Sequence, residues 1–143
     1  MENSLAIFNE KTSNRSYCSI KPDTNEDKIK IFNSLGNCDY VLNECEGKVI
    51  KLKDVYIAEY DTKDKETGEP RKGHRTVLFD ENGQTYITLS NYFAYSLLQL
   101  LNTFGDPTTW EKPLLIQITK KQNGNQKGAS LGFKLVKEDT VEA

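Results

Sequence analysis

Alternation of apolar and polar residues with a period of two runs through most of the chain and predicts a mainly β structure. The predicted strands are 28–33, 48–60, 74–80, 84–89, 114–121 and 129–136. The Asn82-Gly83 pair between the third and fourth of these strands is typical of a tight hairpin turn, because both residues tolerate positive φ. The pattern therefore predicts a structure built largely from hairpins.

The longest predicted strand, 48–60, contains a shift in its apolar pattern. Its apolar residues are Ile50 and Leu52 in one parity and Val55 and Ile57 in the other. One extra residue near Asp54 would return both pairs to the same face, because a β-bulge sets two residues opposite one. We therefore expect a bulge there and a strongly bent strand.

A single helix is predicted after the hairpin that contains the Asn-Gly turn. Apolar residues recur with helical spacing at Phe93, Leu97, Leu101 and Phe104. Ser90 is a good N-cap, and Gly105 stands where the helix is expected to end. This pattern predicts an amphipathic helix of about 14 residues.

The order of these elements, with 28–33 counted apart, is three strands, a helix and two strands. The OB-fold, a five-stranded Greek-key barrel, has the same order, with a helix between strands 3 and 4 and a long, bent first strand. We therefore predict an all-β protein with one helix and an OB-fold-like domain over 27–137. Another small β-barrel or a helix-capped sheet fits the same order. Residues 1–26 are predicted to form a polar N-terminal arm, and 138–143 a short acidic tail.

Charge is segregated along the chain. The formal net charge is −2, yet residues 112–137 hold six lysines and no acidic residue. Because this segment also contains the last predicted hairpin, it would form a basic surface that suits a polyanion. The solvated face of an ordinary domain gives the same composition, so charge alone leaves both interpretations open. The acidic overall charge argues against indiscriminate coating of nucleic acid.

The segment 61–73 is charged, contains glycine and proline, and shows no periodicity, which predicts a long connecting loop. Loops of this length are commonly functional. Its basic residues Arg71 and Lys72, with Arg75 beside them, either clamp a nucleic-acid backbone or merely solvate the loop. We favour the clamp.

Residues for catalysis or metal binding are scarce. His74 is the only histidine and the three cysteines are irregularly spaced, so neither a zinc site nor a cysteine nucleophile with a histidine base is expected. The sequence also lacks a phosphate loop. We predict no enzyme activity, no metal and no cofactor, and we expect His74 to be exposed.

The sequence gives no indication of a membrane partner. No apolar run approaches the roughly 20 residues that a membrane span needs. Residues 1–10 lack the basic and apolar parts of a secretory signal. We therefore expect a cytoplasmic protein.

Strand parity assigns the side chains opposite the predicted core. On the long strand the outward residues are Lys51, Lys53, Tyr56 and Tyr60; in the next hairpin they are Phe79 and Tyr86, with Leu89 inward. The last hairpin adds a basic wall of Lys120, Lys121, Lys127 and Lys134. Tyr92 and Tyr95, on the helix, are expected to pack or to face solvent.

Because bases stack on rings while ammonium groups follow phosphates, the pattern of outward tyrosines and lysines suits a single nucleic-acid strand. A peptide-binding module on the same barrel would instead use its lysines for an acidic partner.

Several short motifs occur in one order over residues 28–136. They are Lys30-Ile31-Phe32-Asn33, Gly47-Lys48-Val49-Ile50, Ile57-Ala58-Glu59-Tyr60, residues 76–79 with the following turn and Tyr86, the Ser90 helix, and Lys127-Gly128 with the final apolar strand. Together they resemble the single-stranded DNA-binding proteins of small tailed bacteriophages whose linear genomes are replicated by terminal-protein priming.

The resemblance implies a replication protein that coats displaced single strands and protects them from nucleases, without catalysis or cofactor. It implies base stacking by Tyr60 and Tyr86, with Lys48 and Lys51 as nearby charges. Single-stranded DNA is the predicted partner, and phage replication proteins and neighbouring copies on the DNA are further candidates. The complete set of predicted DNA-binding residues is Lys48, Lys51, Lys53, Tyr56, Tyr60, Arg71, Lys72, Arg75, Phe79, Tyr86, Lys120, Lys121, Lys127 and Lys134.

Overall fold

The computed structural model describes residues 15–122 and 129–137. The strands are β1 (Ser16–Cys18), β2 (Tyr40–Val41), β3 (Val49–Lys63), β4 (Pro70–Asp80), β5 (Thr85–Thr88), β6 (Leu114–Gln122) and β7 (Ala129–Leu135). The helices are α1 (Asn25–Ser34), α2 (Asn91–Phe104) and two short 3-10 helices, Leu42–Glu44 and Pro107–Thr109. The protein is mainly β, as predicted, but its described part has two α-helices rather than one.

One curled sheet contains all seven strands, in the order β2-β5-β4-β3-β6-β7, with β1 added to β3. One edge of β3 pairs with β4 over residues 52–63, whereas the other edge pairs with β6 over 49–52 and with β1 over 56–58. The register of β3 and β4 shifts between Leu52 and Asp54, so the predicted bulge is confirmed. The bulge bends β3 and lets it serve two parts of the curled sheet.

The main hydrophobic core lies on the inner side of the curled sheet. All four apolar residues assigned inward on the long strand are buried there: Ile50, Leu52, Val55 and Ile57. Ile116 and Ile118 of β6 and Leu131 of β7 join them. Because the bulge adds one residue, the two parities of β3 both face this core.

Helix α2 begins and ends where the sequence predicts. The Ser90 hydroxyl accepts a hydrogen bond from the Phe93 amide at 3.1 Å. Gly105 follows the helix with a φ of 83°, a conformation that favours glycine. The helix lies between β5 and β6 in chain order and contributes Phe93 and Leu97, among others, to the main core.

The segment 28–33, predicted to be a strand, instead lies within α1. Thr24 caps this helix by accepting a hydrogen bond from the Asp27 amide at 3.1 Å. The alternation of lysine and isoleucine was misleading because only Ile31 is buried, while Ile29 is 58% exposed. A segment with only one buried side chain can form either a helix or a strand, so the spacing of its apolar residues does not distinguish the two.

Helix α1 covers the outer side of β3 and β4 and creates a second hydrophobic core. Its buried members are Ile20, Ile31, Tyr56, Val77 and Phe79. Ser19 fixes the segment leading to the helix, because its hydroxyl donates to the Asp54 carboxylate at 2.8 Å and accepts from the Val55 amide at 2.9 Å. The sheet is therefore buried on both sides at this point.

Strands β3 and β4 continue into a two-stranded hairpin, so most of the predicted loop 61–73 is strand. The two strands stay paired as far as Lys63 and Pro70. The Asp64 carboxylate holds the turn between them by accepting hydrogen bonds from two amides of the turn. Charged side chains dominate this part of the hairpin, so the sequence lacks the apolar–polar alternation that would predict a strand.

Part of the predicted N-terminal arm is folded onto the sheet. Strand β1 pairs with β3, and the Arg15 guanidinium contacts the Glu59 carboxylate at 3.1 Å. Hydrogen bonds from Arg15 hold the pKa of Glu59 below its usual range. Predictions for residues 1–14, for Lys127 and for the acidic tail 138–143 fall outside the described residues.

Candidate nucleic-acid interface

An exposed tyrosine lies stacked on a buried one at the edge of the sheet. Strand β2 pairs in parallel with β5, which places Tyr40 directly beside Tyr86. The ring centroids are 5.0 Å apart and the ring planes differ by 19°. Tyr86 is 1% exposed, whereas Tyr40 is 38% exposed. A ring fixed in the core thus supports a second ring that reaches solvent.

The Lys48 ammonium lies beside this pair of rings. It is 4.7 Å from the Tyr40 centroid and 5.3 Å from the Tyr86 centroid. These distances nearly equal the 5.0 Å between the centroids, so the three points form an almost equilateral triangle. The ammonium therefore flanks the stack and does not cover the side of Tyr40 that faces away from Tyr86. Cation–π attraction keeps the positive charge at this position.

Polar contacts fix the supporting ring. The Tyr86 hydroxyl donates a hydrogen bond to Asp80 at 3.2 Å, and the other Asp80 oxygen accepts from the amides of Asn82 and Gln84, each at 2.9 Å. Burial of the phenol, followed by the negative charge of Asp80, raises the pKa of Tyr86 well above its usual range. The hydroxyl therefore stays protonated, and the turn after β4 positions the stack.

The lysines of the last hairpin lie on two sides of the sheet. Lys120 is the direct partner of Leu131, a residue of the main core, so it extends from the inner side at the end of β6. Lys121 and Lys134 have the opposite parity and point outward, as does Lys51 on β3. The predicted single basic wall is therefore divided in two. The described lysines of the predicted set are all exposed: Lys48, Lys51, Lys53, Lys72, Lys120, Lys121 and Lys134.

Several of the predicted cations contact carboxylates or backbone. The ion pairs are Lys51 with Glu81 at 3.6 Å, Arg71 with Asp64 at 3.8 Å and Lys72 with Asp61 at 2.6 Å. Arg75 donates to the Leu35 carbonyl at 3.2 Å and so joins β4 to the end of α1. Residues 61–72 hold four basic and four acidic residues, so this part of the hairpin has no net positive charge to attract a polyanion. The clamp role of Arg71 and Lys72 stays a prediction.

Three aromatic residues predicted to face solvent are buried. Tyr56 is 5% exposed, Phe79 0% and Tyr86 1%. Tyr56 and Phe79 belong to the second core, where α1 covers them. Tyr86 is the direct partner of the core residue Leu78 and faces the main core, so the parity predicted for β5 was reversed. Leu89, predicted inward, is 55% exposed. The predicted exposure of these residues is therefore wrong.

Tyr60 is half-buried on the β3–β4 hairpin. It lies directly opposite Gly73 in the strand pairing. The Tyr60 ring occupies the space that a Cβ atom on Gly73 would need, so the ring lies over the glycine backbone. One side of the predicted stacking ring is therefore already in contact with the protein.

Sequence reasoning missed Tyr40 because its position depends on distant segments of the chain. The Asp39 carboxylate accepts a hydrogen bond from the Thr85 amide at 2.9 Å, and the Thr85 hydroxyl accepts from the Asp39 amide at 3.0 Å. These bonds hold β2 against β5. The only local signal is the apolar pair Tyr40-Val41, which is too short to reveal a strand.

His74, predicted to be exposed, is 5% exposed. Its Nδ1 atom lies 2.9 Å from the Asn91 side-chain oxygen, and its Nε2 atom lies 3.7 Å from Glu59. The ring therefore joins β4 to β3 and to the start of α2.

No group of three or more potential ligands in the described part of the chain is placed to hold a metal ion. None of the described helices is long and apolar enough to cross a membrane.

A curled, mostly antiparallel sheet, a supported tyrosine at its edge and exposed lysines around it are features of β-sheet proteins that bind single-stranded nucleic acid. Comparison with known proteins specifies the family. The model of the family described as phage single-stranded DNA-binding protein matches residues 10–134. The chain therefore belongs to this family.

A relative supports the same assignment. The single-stranded DNA-binding protein of Bacillus phage GA-1 is 30% identical over 118 residues, which cover 79% of this chain and 68% of that protein. No solved structure gives a significant match. Family membership confirms the resemblance noted in the sequence, and it confirms the prediction of a binding protein rather than an enzyme.

Proposed function

We propose that the protein binds single-stranded DNA without sequence preference and protects displaced strands during phage DNA replication. The observation that carries the proposal is the Tyr40 ring, which is exposed, supported by Tyr86 and flanked by the Lys48 ammonium. Membership of the phage family supports single-stranded DNA as the ligand.

In the proposed mechanism a base stacks on the outer side of Tyr40. Every base has a π-face, so such a contact tolerates any sequence. The contact with buried Tyr86 restricts the Tyr40 ring before DNA arrives, which reduces the entropy lost on binding. Lys48 then lies where it can neutralise a phosphate next to the stacked base.

Further lysines extend the positive surface along the proposed path. The Ile118 amide donates to the Lys48 carbonyl at 2.9 Å, and Lys120 follows two residues later on the same side of the sheet. Lys53 is exposed beside the bulge of β3. We propose that these lysines follow the DNA backbone, whereas Tyr56 and Phe79 act only in the second core.

We further propose that the sheet is a variant of the OB-type Greek key over residues 27–137. Strands β3, β4 and β5, helix α2, and strands β6 and β7 follow one another in the OB order, and the bulged β3 pairs along both edges. Helix α1 and strand β2 are additions to that plan. The N-terminal arm 1–26, folded in part onto β3, and the acidic tail 138–143 would flank the domain.

The proposed role also implies a place of action and further partners. Displaced strands of a replicating phage genome occur in the cytoplasm of the host cell, where we propose that the protein acts. Contacts with phage replication proteins and between neighbouring copies on one strand stay predictions.

Binding to oligothymidine is expected to weaken with salt, with a log–log slope of about −3 to −4. Each neutralised phosphate of a single strand contributes about −0.7 to the slope, so roughly four to six lysine contacts give this range. Fluorescence titrations at several salt concentrations measure the slope directly.

Two lysine variants localise the effect. Lys48→Gln is expected to make the slope shallower by about 0.7, because one phosphate contact is lost. Lys28→Gln is the matched control, since Lys28 is exposed on α1, which packs on the side of the sheet opposite to Tyr86. A salt-independent affinity, or the same change in both variants, would reject the assignment of Lys48.

A further inference from the structure

Tyr92, on the first turn of α2, reaches the outer side of the last hairpin. A Cβ atom added to Gly132 of β7 would be 3.9 Å from the Tyr92 ring and 3.4 Å from the Thr119 hydroxyl of β6. Tyr92 is nevertheless 60% exposed. Its ring therefore rests beside a position that has no side chain, and most of its surface faces solvent.

Two lysines flank this position on the same side of the hairpin. Gly132 is the direct partner of Thr119, and Lys121 is the partner of Ser130. Lys134 lies two residues after Gly132, about 7 Å along the strand. Lys121 lies diagonally across from Gly132, about 7–8 Å away in the opposite direction along the ladder. One exposed ring thus has an exposed cation on either side.

Lys121 and Lys134 differ in their ion pairing from three other cations of the predicted DNA-binding set. Lys121 and Lys134 form no ion pair with a carboxylate in the described ranges 15–122 and 129–137. Lys51, Arg71 and Lys72, by contrast, each contact a carboxylate. Helix α2 itself contains no charged residue, so its residues neither neutralise nor add to the two cations.

We propose that Tyr92, Lys121 and Lys134 form a second subsite for single-stranded DNA, in which a base stacks on Tyr92 and the two ammonium groups hold the flanking phosphates. This inference rests on the proposed function and extends it to a surface on which sequence parity placed lysines but no aromatic ring. Stacking on an aromatic side chain combined with lysine contacts is the general basis of sequence-tolerant single-strand binding.

Tyr95 provides a matched control on the same helix. It is 55% exposed, so its accessibility is close to that of Tyr92. Its ring packs edge-on against His74, with centroids 5.2 Å apart. The cation in the same pocket, Arg15, is bound by the Glu59 carboxylate. Tyr95 therefore has a similar exposure to Tyr92 but lacks a pair of available lysines.

Tyr92→Ala is expected to weaken oligothymidine binding by about 5- to 150-fold, as is usual when a stacking ring is removed. Tyr92→Phe keeps the ring and should stay within about twofold of the wild type. Tyr95→Ala should also change the affinity by less than about twofold. Tyr92→Leu, which retains the apolar contact with Gly132, should behave like Tyr92→Ala and replaces it if the alanine variant does not fold.

The salt response gives an independent readout of the two lysines. Replacing both Lys121 and Lys134 by Gln is expected to make the log–log slope shallower by about 1.4, or about 0.7 for each lost phosphate contact. Equal losses for Tyr92→Ala and Tyr95→Ala, unchanged affinity in both, or an unchanged slope in the double lysine variant would overturn the subsite. If the wild-type protein did not bind oligothymidine at all, the proposed function itself would fail.

Discussion

Replacing Phe79 by alanine is expected to lower the free energy of unfolding by about 3–5 kcal/mol. The Phe79 side chain is 0% exposed and packs in the second core beneath α1. Removing it would leave a cavity between the helix and the sheet, since neither can collapse fully into the space. Urea denaturation of the wild type and the variant measures this difference, with the same dependence of the unfolding free energy on urea concentration used for both proteins.

Phe32 provides the control for this substitution. It is 70% exposed on α1, so Phe32→Ala should change the free energy of unfolding by no more than about 0.5 kcal/mol. The opposite result for Phe79, an unchanged stability combined with weaker DNA binding, would mean that Phe79 is exposed, as sequence parity predicted, and that α1 does not cover it.

The second core is too stable for α1 to act as a cover that opens for DNA. Exposing Ile20, Ile31, Val77 and Phe79 would cost roughly 1.5–3 kcal/mol for each side chain, or about 6–12 kcal/mol together. A base stacked on an aromatic ring returns only about 1–3 kcal/mol. The rings beneath α1 therefore stabilise the fold, and stacking requires rings that are already exposed.

Replacing Tyr40 by alanine is expected to weaken oligothymidine binding by about 1–3 kcal/mol, or roughly 5- to 150-fold in affinity. The loss arises because the exposed ring of the pair disappears, while Tyr86 stays buried and cannot take its place. Titration of a fluorescent oligothymidine under constant low salt measures the change.

Tyr40→Phe separates stacking from hydrogen bonding. The Gln84 amide donates to the Tyr40 hydroxyl at 3.3 Å on an exposed part of the surface, a contact worth little in water. The phenylalanine variant should therefore keep nearly the full affinity. If it lost as much as the alanine variant, the hydroxyl would be the important group and the stacking mechanism would be wrong.

Elements whose pattern is local could be predicted from the sequence. The α2 helix has a cap, an apolar stripe and a terminal glycine within 16 residues, from Ser90 to Gly105. The bulge in β3 is visible because the parity of the apolar residues changes there. In both cases the residues that determine the structure are neighbours in the chain.

Elements that depend on distant contacts could not be predicted. The Lys-Ile alternation of α1 matches a strand, and only contact with the sheet makes a helix with one buried isoleucine, Ile31, the better solution. Tyr40 joins the candidate site through the pairing of β2 with β5. Tyr86 faces the main core because the register of β5 sets it opposite Leu78, and the Asp80 carboxylate satisfies its hydroxyl there.

The basic hairpin illustrates the same limit for the candidate site. Its lack of acidic residues is visible in the sequence, but the two sides of the sheet are separated only by the register of β6 and β7. That register sends Lys120 to the side of Tyr40 and Lys48, and Lys121 and Lys134 to the side of Tyr92. One predicted wall thus becomes two candidate contact surfaces.

Competition between single-stranded and duplex DNA tests the central proposal most directly. The protein, bound to a labelled oligothymidine, would be titrated with unlabelled single strands and with a duplex of the same length. Stacking on Tyr40 needs an unpaired base, so single strands should displace the label at far lower concentrations than the duplex. Equal displacement by both would show that only phosphate charge is recognised and would contradict the stacking mechanism.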